Sequence, residues 1–347
     1  AGMSYWSTQV DFVDVMKKSG LGDTSDTGNK GWIPQLYVGG SWDTGQPLNI
    51  SASNGYPAYL PPGVMAGRLM VRDLARHGIS GVYTVLWDGD GTLTCSMTDV
   101  KRVWRPRPGR LEVLVNLSTT GNNGLFLVIE RTNPADPVRN IRVFAPGFGG
   151  GDPSITAGDP AAAPFSPWLL FPYEMAAGGA GGSLSSGATG WAWGGVDGSP
   201  FHPAFLRALS GFRVLRFMDW MSTNNVIPGA WSKRPRRTDP TYNNRGVPLE
   251  DMVMLANLAA ADAWFCIPHL ADDDYVHRFA ALVAATFRPD RKIYLEYSNE
   301  LWHTGFPGGQ YVDAMGAALG MSRFCYTVAR MRNISRIFQA ELAAAAS

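Results

Sequence analysis

The sequence predicts an α/β fold that carries an antiparallel β-sandwich as an insertion. From residue 201 onward, compact apolar segments alternate with amphipathic segments, and this order implies parallel strands joined by crossover helices. Residues 31–148 instead contain short β-rich runs about 10–15 residues apart, separated by Gly, Pro and Asn turns. Such spacing is typical of an antiparallel sandwich.

The alternating part of the chain contains three predicted strands and three predicted helices. The clearest helix has apolar residues at positions 276, 279, 280, 283, 284 and 287, which is the spacing of one helical face. Pro248 is expected to open an earlier helix, and a helix of about twenty residues is expected from near Ser322. The predicted strands are Arg213–Met218, Ala263–Ile267 and Lys292–Tyr297.

Two further segments complete the predicted organisation of the 347 residues. Residues 1–30 contain a short apolar piece, Val10–Lys18, whose spacing fits either a helix or a strand. Residues 149–200 are rich in Gly and Ala and predict a loop region.

Composition excludes several classes of protein. The formal net charge is +1, so the overall charge gives no reason to expect nucleic acid or an anionic membrane as a partner. The three cysteines are an odd number and too far apart for a C-x-x-C motif, which excludes a fully paired disulfide framework. No apolar stretch reaches the roughly 18–20 residues of a membrane helix.

We expect a secreted or extracellular protein. The first residues, Ala1 to Trp6, lack the basic region of a signal peptide, but a signal that has been removed would leave the same sequence. The chain has 12 Trp, 12 Tyr and 16 Phe together with 40 Gly. Aromatic residues on loops suit a surface that binds sugar rings, although a large core with many turns explains the composition equally well.

Polar residues follow each of the three predicted parallel strands. Arg216 and Asp219 lie at the end of the first, His269 follows the second, and Asn299-Glu300 follows the third. Because the carboxyl ends of parallel strands meet at one edge, we expect these side chains to converge. Glycosidic cleavage needs a carboxylic acid to protonate the leaving oxygen, and a neighbouring amide can bind the sugar 2-hydroxyl.

The run Glu296-x-x-Asn299-Glu300 resembles strand four of the clan A glycoside hydrolases, the group of cellulases, mannanases and β-galactosidases. In that clan Arg and His close strands two and three, as Arg216 and His269 do here. The resemblance implies a (β/α)8 TIM-barrel fold, with residues 1–30 as its first unit and 201–347 as units two to four. It also implies a retaining mechanism on a β-linked glycan such as β-glucan or cellulose, with Glu300 as acid/base.

The sequence departs from the clan pattern in two respects. Leu301 stands where the clan often has Pro, and only four strands precede Ser347, so the clan nucleophile at the end of strand seven has no counterpart. The last carboxylate, Glu341, lies inside a predicted helix and is a poor substitute. We therefore expect the nucleophile-bearing half to be absent, so that the chain is either a fragment or acts without that residue. The open strand edges of half a barrel imply self-association or a missing C-terminal half.

Each proposed site residue has a structural alternative. We assign catalysis to Glu300 and substrate binding to Asn299, His269, Arg216, Trp302, Asp219 and Trp231. Glu300 could instead pair with Arg216, His269 could be a core histidine, and Asp219 could cap a helix. Trp231 could pack its own loop, as could Tyr242. Glu296 shares the strand parity of Glu300 but better fits a buried supporting network.

Two other functions are compatible with the sequence, and no cofactor is implied by the main one. A non-catalytic carbohydrate-binding or surface protein would use the sandwich to bind glycan. A metal-dependent hydrolase would use His269, Asp272 and Asp274, but no pair of histidines has the spacing of metal ligands. Residues Asp272 to Asp274 precede a predicted helix, so capping of that helix is the better interpretation.

Overall fold

A computed structural model describes residues 10–20, 31–36, 43–74, 80–118, 123–148, 199–225, 227, 229–243 and 245–346. The chain divides into two compact units, one formed by the described residues up to Arg207 and the other by those from Ala208 onward. The loop region predicted at 149–200 lies outside the described residues, apart from Ser199 and Pro200.

The first unit is an antiparallel β-structure built from two four-stranded sheets. One sheet has the order β1-β4-β9-β6 and the other the order β10-β5-β8-β7, and a two-stranded sheet pairs β2 with β3. The strands are β1 (Ile33–Leu36), β2 (Asn49–Ile50), β3 (Pro57–Tyr59), β4 (Val64–Met70), β5 (Gly81–Asp88), β6 (Gly91–Ser96), β7 (Val100–Arg107), β8 (Arg110–Val115), β9 (Leu125–Thr132) and β10 (Arg139–Phe144).

The core of this unit lies between the two four-stranded sheets, since both contribute to one cluster of buried side chains. Leu127 and Ile129 of β9 enter it from one sheet, and Val113 of β8 and Val85 of β5 enter it from the other. In β8 and β9 nearly every residue is buried, whereas most residues of β7 are exposed. β8 and β9 are therefore buried central strands, whereas β7 is an edge strand with exposed basic residues at Lys101, Arg102, Arg105 and Arg107.

The segment predicted as a first β/α unit belongs to this sandwich. Residues 15–18 form a 3-10 helix, and Val13, Val15 and Met16 are part of the sandwich core. Asp14 begins that helix and accepts hydrogen bonds from the backbone N–H groups of Met16, at 3.1 Å, and of Val143 in β10, at 2.8 Å. The described part of this segment thus forms no barrel strand.

The second unit is built on a three-stranded parallel sheet with the order β11-β12-β13. Helix α3 buries Val276, Phe279, Ala280 and Val283, as the spacing predicted. Pro248 precedes α2, as predicted from the sequence. The elements are α1 (Pro203–Leu209), which begins in the first unit, β11 (Val214–Arg216), α2 (Leu249–Leu258), β12 (Asp262–Ile267), α3 (Asp273–Thr286), β13 (Ile293–Tyr297), α4 (Pro307–Ala318) and α5 (Arg323–Ala346).

The prediction of a (β/α)8 TIM-barrel fold is wrong. The described chain is rich in strands, and all of its sheets except β11-β12-β13 are antiparallel. Three parallel strands are too few to close a barrel. The error arose because the apolar residues near Val13 are buried in the core of the sandwich, and their spacing is compatible with a sandwich as well as with a barrel.

Candidate functional site

The candidate site lies at the carboxyl end of the parallel sheet, where β13 gives way to a loop of unusual backbone geometry. Ser298 and Glu300 both have positive φ angles, +57° and +51°, which residues other than Gly, Asn and Asp seldom adopt. Ser298 is held there by its N–H, which donates to the carbonyl oxygen of Ile267 at 2.7 Å. Such strained residues concentrate at functional sites.

Ser298 and Glu300, with their positive φ angles, interrupt the alternation of side chains that begins along β13. The prediction that Glu296 and Glu300 point to the same face requires this alternation to continue. β13 ends at Tyr297, so the face on which Glu296 lies does not determine the direction of Glu300. Glu296 remains on the strand, and Glu300 projects from the loop with 41% of its side chain exposed. The two carboxylates therefore have different surroundings.

Glu296 is the centre of a polar network on the sheet. Arg216 donates to both of its carboxylate oxygens, at 2.8 and 3.0 Å, so the pair is bidentate. Trp264 Nε1 donates to Glu296 Oε2 at 3.0 Å, and the Cys266 thiol lies 3.2 Å from the same oxygen. Arg216 also lies over the Trp264 ring, 5.2 Å from its centre. With so many donors, this carboxylate is placed to hold its neighbours in position.

Arg216 links this network to Asn299. Its Nη2 donates to Asn299 Oδ1 at 2.9 Å. Because Arg has no acceptor, the contact assigns the amide oxygen to that side, and Nδ2 then donates to Asn224 Oδ1 at 2.9 Å. Asn299 is buried with 7% exposure, so its amide orientation is determined by these two partners.

Charge and burial shift the protonation of the groups in this network. Burial is the largest single influence and lowers the pKa of Arg216, but the hydrogen bonds and charges of Glu296 and Cys266 together outweigh it, and the pKa of Arg216 is raised. Burial raises the pKa of the Cys266 thiol, and the Glu296 carboxylate raises it further. Cys266 is therefore a protonated donor, and Arg216 is the cation that balances Glu296.

His269 is buried beneath this edge of the sheet. Its side chain is 3% exposed, and burial lowers the pKa of its imidazole. The ring centre lies 5.5 Å from that of Tyr311, and its carbonyl oxygen accepts a hydrogen bond from the Tyr297 hydroxyl at 2.9 Å. Burial raises the pKa of Tyr297, so this hydroxyl stays protonated as a donor.

The loop after Glu300 presents an aromatic side chain to solvent. Trp302 is 65% exposed, and the His303 ring lies against it with 4.2 Å between ring centres. His303 Nε2 is 3.5 Å from Glu300 Oε2. Glu300 thus faces the imidazole of His303, and that ring contacts the exposed indole of Trp302.

The structure brings some of the predicted residues together and places others elsewhere. Arg216 and Asn299 are in direct contact, and Glu300 and Trp302 follow Asn299 on the same loop. Trp231 instead packs edge-on against Tyr275 and beneath Arg234. Tyr242 is buried, and its hydroxyl donates to Asp251 at 2.9 Å. Asp219 is exposed, and its carbonyl oxygen accepts from the Ser222 N–H at 3.0 Å.

Sequence reasoning missed Asn224, Trp264, Cys266 and His303. In the register of the sheet, Cys266 pairs with Glu296 and Arg216 pairs with Trp264. The i, i+2 spacing of Trp264 and Cys266 on one strand could have indicated their common face. His303, three residues after Glu300, was visible as a polar loop residue, but only tertiary structure turns its ring toward the carboxylate.

The acidic run before α3 serves the helix. Asp272 is its N-cap, accepting from the Tyr275 N–H at 2.7 Å, which confirms the capping interpretation. Asp273 pairs with Arg330, and Asp274 pairs with Arg278. In the part of the chain that the structure describes, no group of three or more His, Cys, Asp or Glu side chains is arranged to hold a metal ion.

Comparison with known proteins adds no relative to this picture. No family model, curated protein or solved structure matches the chain. None of the helices within the described ranges is both long enough and apolar enough to span a bilayer.

Proposed function

We propose that this chain is a glycoside hydrolase that acts on a β-linked polysaccharide of the β-glucan or cellulose type, with Glu300 as its acid/base. The observation that carries the proposal is the Asn299-Glu300 pair at the sheet edge, where a strained backbone holds a solvent-accessible carboxylate next to an amide of fixed orientation. The parallel sheet supplies this arrangement without any need for a closed barrel.

Glu300 is the residue able to give and take a proton at a substrate. Its side chain is 41% exposed, whereas Glu296 is 28% exposed and its carboxylate oxygens are occupied by Arg216 and Trp264. As Glu300 protonates the leaving oxygen, the glycosidic C–O bond breaks and a second carboxylate bonds to the anomeric carbon. The Glu300 carboxylate then takes a proton from the water that displaces this second carboxylate.

The neighbouring residues have separate roles in this proposal. Asn299 contacts the sugar through the remaining hydrogen of its Nδ2 group, and Arg216 and Asn224 hold that amide in place. The exposed face of Trp302 floors a sugar ring. His269, neutral because burial lowers its pKa, supports the loop from beneath.

The proposal is tested by hydrolysis of β-glucans and aryl β-glycosides with the natural chain, Glu300→Gln and Glu341→Gln. Glu341 is the matched control because it also faces a histidine, His277, at 2.8 Å. We expect Glu300→Gln to lower kcat about 10²–10⁴-fold on substrates that need protonation. Glu341→Gln should retain activity, and circular dichroism should show both variants folded.

The retaining mechanism has its own test. Retention requires a second carboxylate about 5–5.5 Å from the acid/base, and the clan nucleophile that would supply it has no counterpart in this sequence. In Glu300→Ala, azide should take the place of activated water and yield a β-glycosyl azide from an aryl β-glycoside with a good leaving group. An α-product, or none, contradicts retention.

One observation favours a different class of function. An indole that is 65% exposed suits glycan binding without hydrolysis. If the natural chain hydrolyses nothing but binds β-glucan, and Trp302→Ala abolishes that binding, the carbohydrate-binding function replaces the hydrolase.

A further inference from the structure

His303 occupies a restricted position in the loop between β13 and α4. Its ring lies between two aromatic neighbours, with centres 4.2 Å from Trp302 and 5.2 Å from Phe306. Its backbone N–H approaches the carbonyl oxygen of Glu300 at 3.5 Å. The imidazole is therefore oriented by its surroundings and is only 32% exposed.

A backbone contact determines which nitrogen of this ring carries the proton. The N–H of Gly305 donates to His303 Nδ1 at 2.8 Å, so Nδ1 is an acceptor. In a neutral imidazole the proton then resides on Nε2. Nε2 is the nitrogen that faces Glu300 Oε2, at 3.5 Å.

Gly305 is required for this ring position. A Cβ atom at residue 305 would lie 2.5 Å from His303 Cε1 and 2.7 Å from Nδ1. Any side chain here must displace the imidazole, because the atoms that it would meet belong to the His303 ring and not to the backbone. The glycine thus controls the ring without itself touching Glu300.

We infer that His303 is a positioning residue for Glu300, an inference that rests on the proposed hydrolase function. The Nε2–H group faces Oε2, so the acidic proton of Glu300 resides on the other oxygen, Oε1, which is the one presented to substrate. As that proton passes to the glycosidic oxygen, the C–O bond breaks and the second carboxylate of the retaining mechanism bonds to the anomeric carbon. Nε2–H stabilises the Glu300 carboxylate that forms and keeps its own proton. The 3.5 Å contact tightens in the substrate complex.

The first test compares two leaving groups in His303→Phe and His303→Gln. Phe removes the donor, and we expect kcat/KM on polysaccharide to fall about 10-fold, the value of one hydrogen bond to a charged group. The leaving group of a 2,4-dinitrophenyl β-glycoside is a dinitrophenolate, which departs without protonation. The rate of glycosidic cleavage of this substrate should therefore change by less than about twofold. Gln retains an N–H donor and should recover part of the lost activity on polysaccharide.

The second test leaves the imidazole in place and moves it. Gly305→Ala should lower kcat/KM on polysaccharide but not on the dinitrophenyl glycoside, as His303→Phe does. The double variant should have a kcat/KM no lower than that of either single variant, because both substitutions remove the same contact. This variant also decides the matter if His303→Phe fails to fold. His277→Phe is the control, since His277 faces Glu341 on another part of the unit.

The results separate this inference from the function on which it rests. If Glu300→Gln loses activity while His303→Phe and Gly305→Ala keep it, or lose it equally on both substrates, the positioning role is overturned and the hydrolase function stands. If the natural chain cleaves no member of the panel, the hydrolase function fails and the inference fails with it.

Discussion

Glu300 combines an unfavourable backbone conformation with an accessible carboxylate. At φ +51° an L-residue is strained, by roughly 1–2 kcal/mol, and a glycine is not. Selection for stability alone would favour glycine at this position, so a strained glutamate is expected where the carboxylate is needed for function. The residue therefore offers a direct separation of stability from function.

Glu300→Gly should be more stable than Glu300→Ala by about 1 kcal/mol, because both lose the side chain but only glycine relieves the positive φ. The measurement is the free energy of unfolding of the second unit in urea. Gln339, exposed within α5, provides the reference, since there Gly should be less stable than Ala by about 1 kcal/mol. The same sign at both positions would contradict the strain at Glu300.

Pairing among the charged residues is also decided at this scale. Arg216 was considered a partner for Glu300, yet its guanidinium binds Glu296 and Asn299. Glu296 and Glu300 both lie close in sequence to the end of β13. Glu296 is part of the strand, whereas Glu300 follows the left-handed turn at Ser298. The positive φ angles of Ser298 and Glu300, which the sequence does not reveal, thus separate the surroundings of the two carboxylates.

Among the elements, several strands of the first unit form where the sequence predicts them, but the charged strand β7 was not predicted. The β-rich runs at Gly81–Trp87 and Arg139–Phe144 predict two strands, and β5 (Gly81–Asp88) and β10 (Arg139–Phe144) form there. β7, with Lys101, Arg102 and Pro106, was missed because its composition is that of a solvent-facing edge. Charge on an edge strand prevents pairing with other chains. The same charged residues break the apolar alternation by which a strand is predicted from sequence.

Helix α1 begins beside a buried histidine that makes the first unit sensitive to pH. His202 Nδ1 accepts a hydrogen bond from the Ala204 N–H at 3.2 Å. Burial, and then the charge of Arg207, lower the pKa of His202 from 6.5 to about 4. Between these values the unfolded chain binds a proton that the folded chain does not, so stability falls as the pH drops from about 7 toward 4.

In His202→Asn the amide oxygen can still accept from Ala204, but the titrating group is gone. We expect the free energy of unfolding of the first unit to lose up to about 1.4 kcal/mol per pH unit of its dependence between pH 6.5 and 4. Urea unfolding at several pH values measures this slope. Replacement of His277, which is exposed and lies in the second unit, should leave the slope of the first unit unchanged.

At the scale of the whole molecule, the three cysteines report on both units. Cys95 is buried in the sandwich core, Cys266 is buried in the parallel sheet, and Cys325 is exposed on α5. Burial raises the pKa of the Cys95 and Cys266 thiols, so both remain protonated and shielded at neutral pH.

A thiol reagent at neutral pH should therefore label Cys325 rapidly and the other two only through opening of their units. Mass spectrometry of the labelled peptides identifies the sites, and Cys325→Ser should abolish the fast phase. In denaturant all three thiols should react. Fast labelling of Cys95 or Cys266 in the native protein would contradict the placement of that residue in its core.

What the sequence determined by itself is local. The period of apolar residues located α3, the Asp run identified its N-terminal cap, and strand-like runs located β12 and β13. These features depend on neighbours a few residues away, so they can be seen in one stretch of chain. The same locality placed Asn299 and Glu300 directly after β13.

Tertiary structure decided the rest. The apolar residues near Val13 require burial, but the sequence does not say whether a barrel or a sandwich buries them, and here the sandwich does. Likewise, only the folded chain places Arg216 on Glu296, Asn224 on Asn299 and His303 beside Glu300. Periodicity encodes which face of an element is apolar, whereas the partner of that face is chosen by contacts between distant segments.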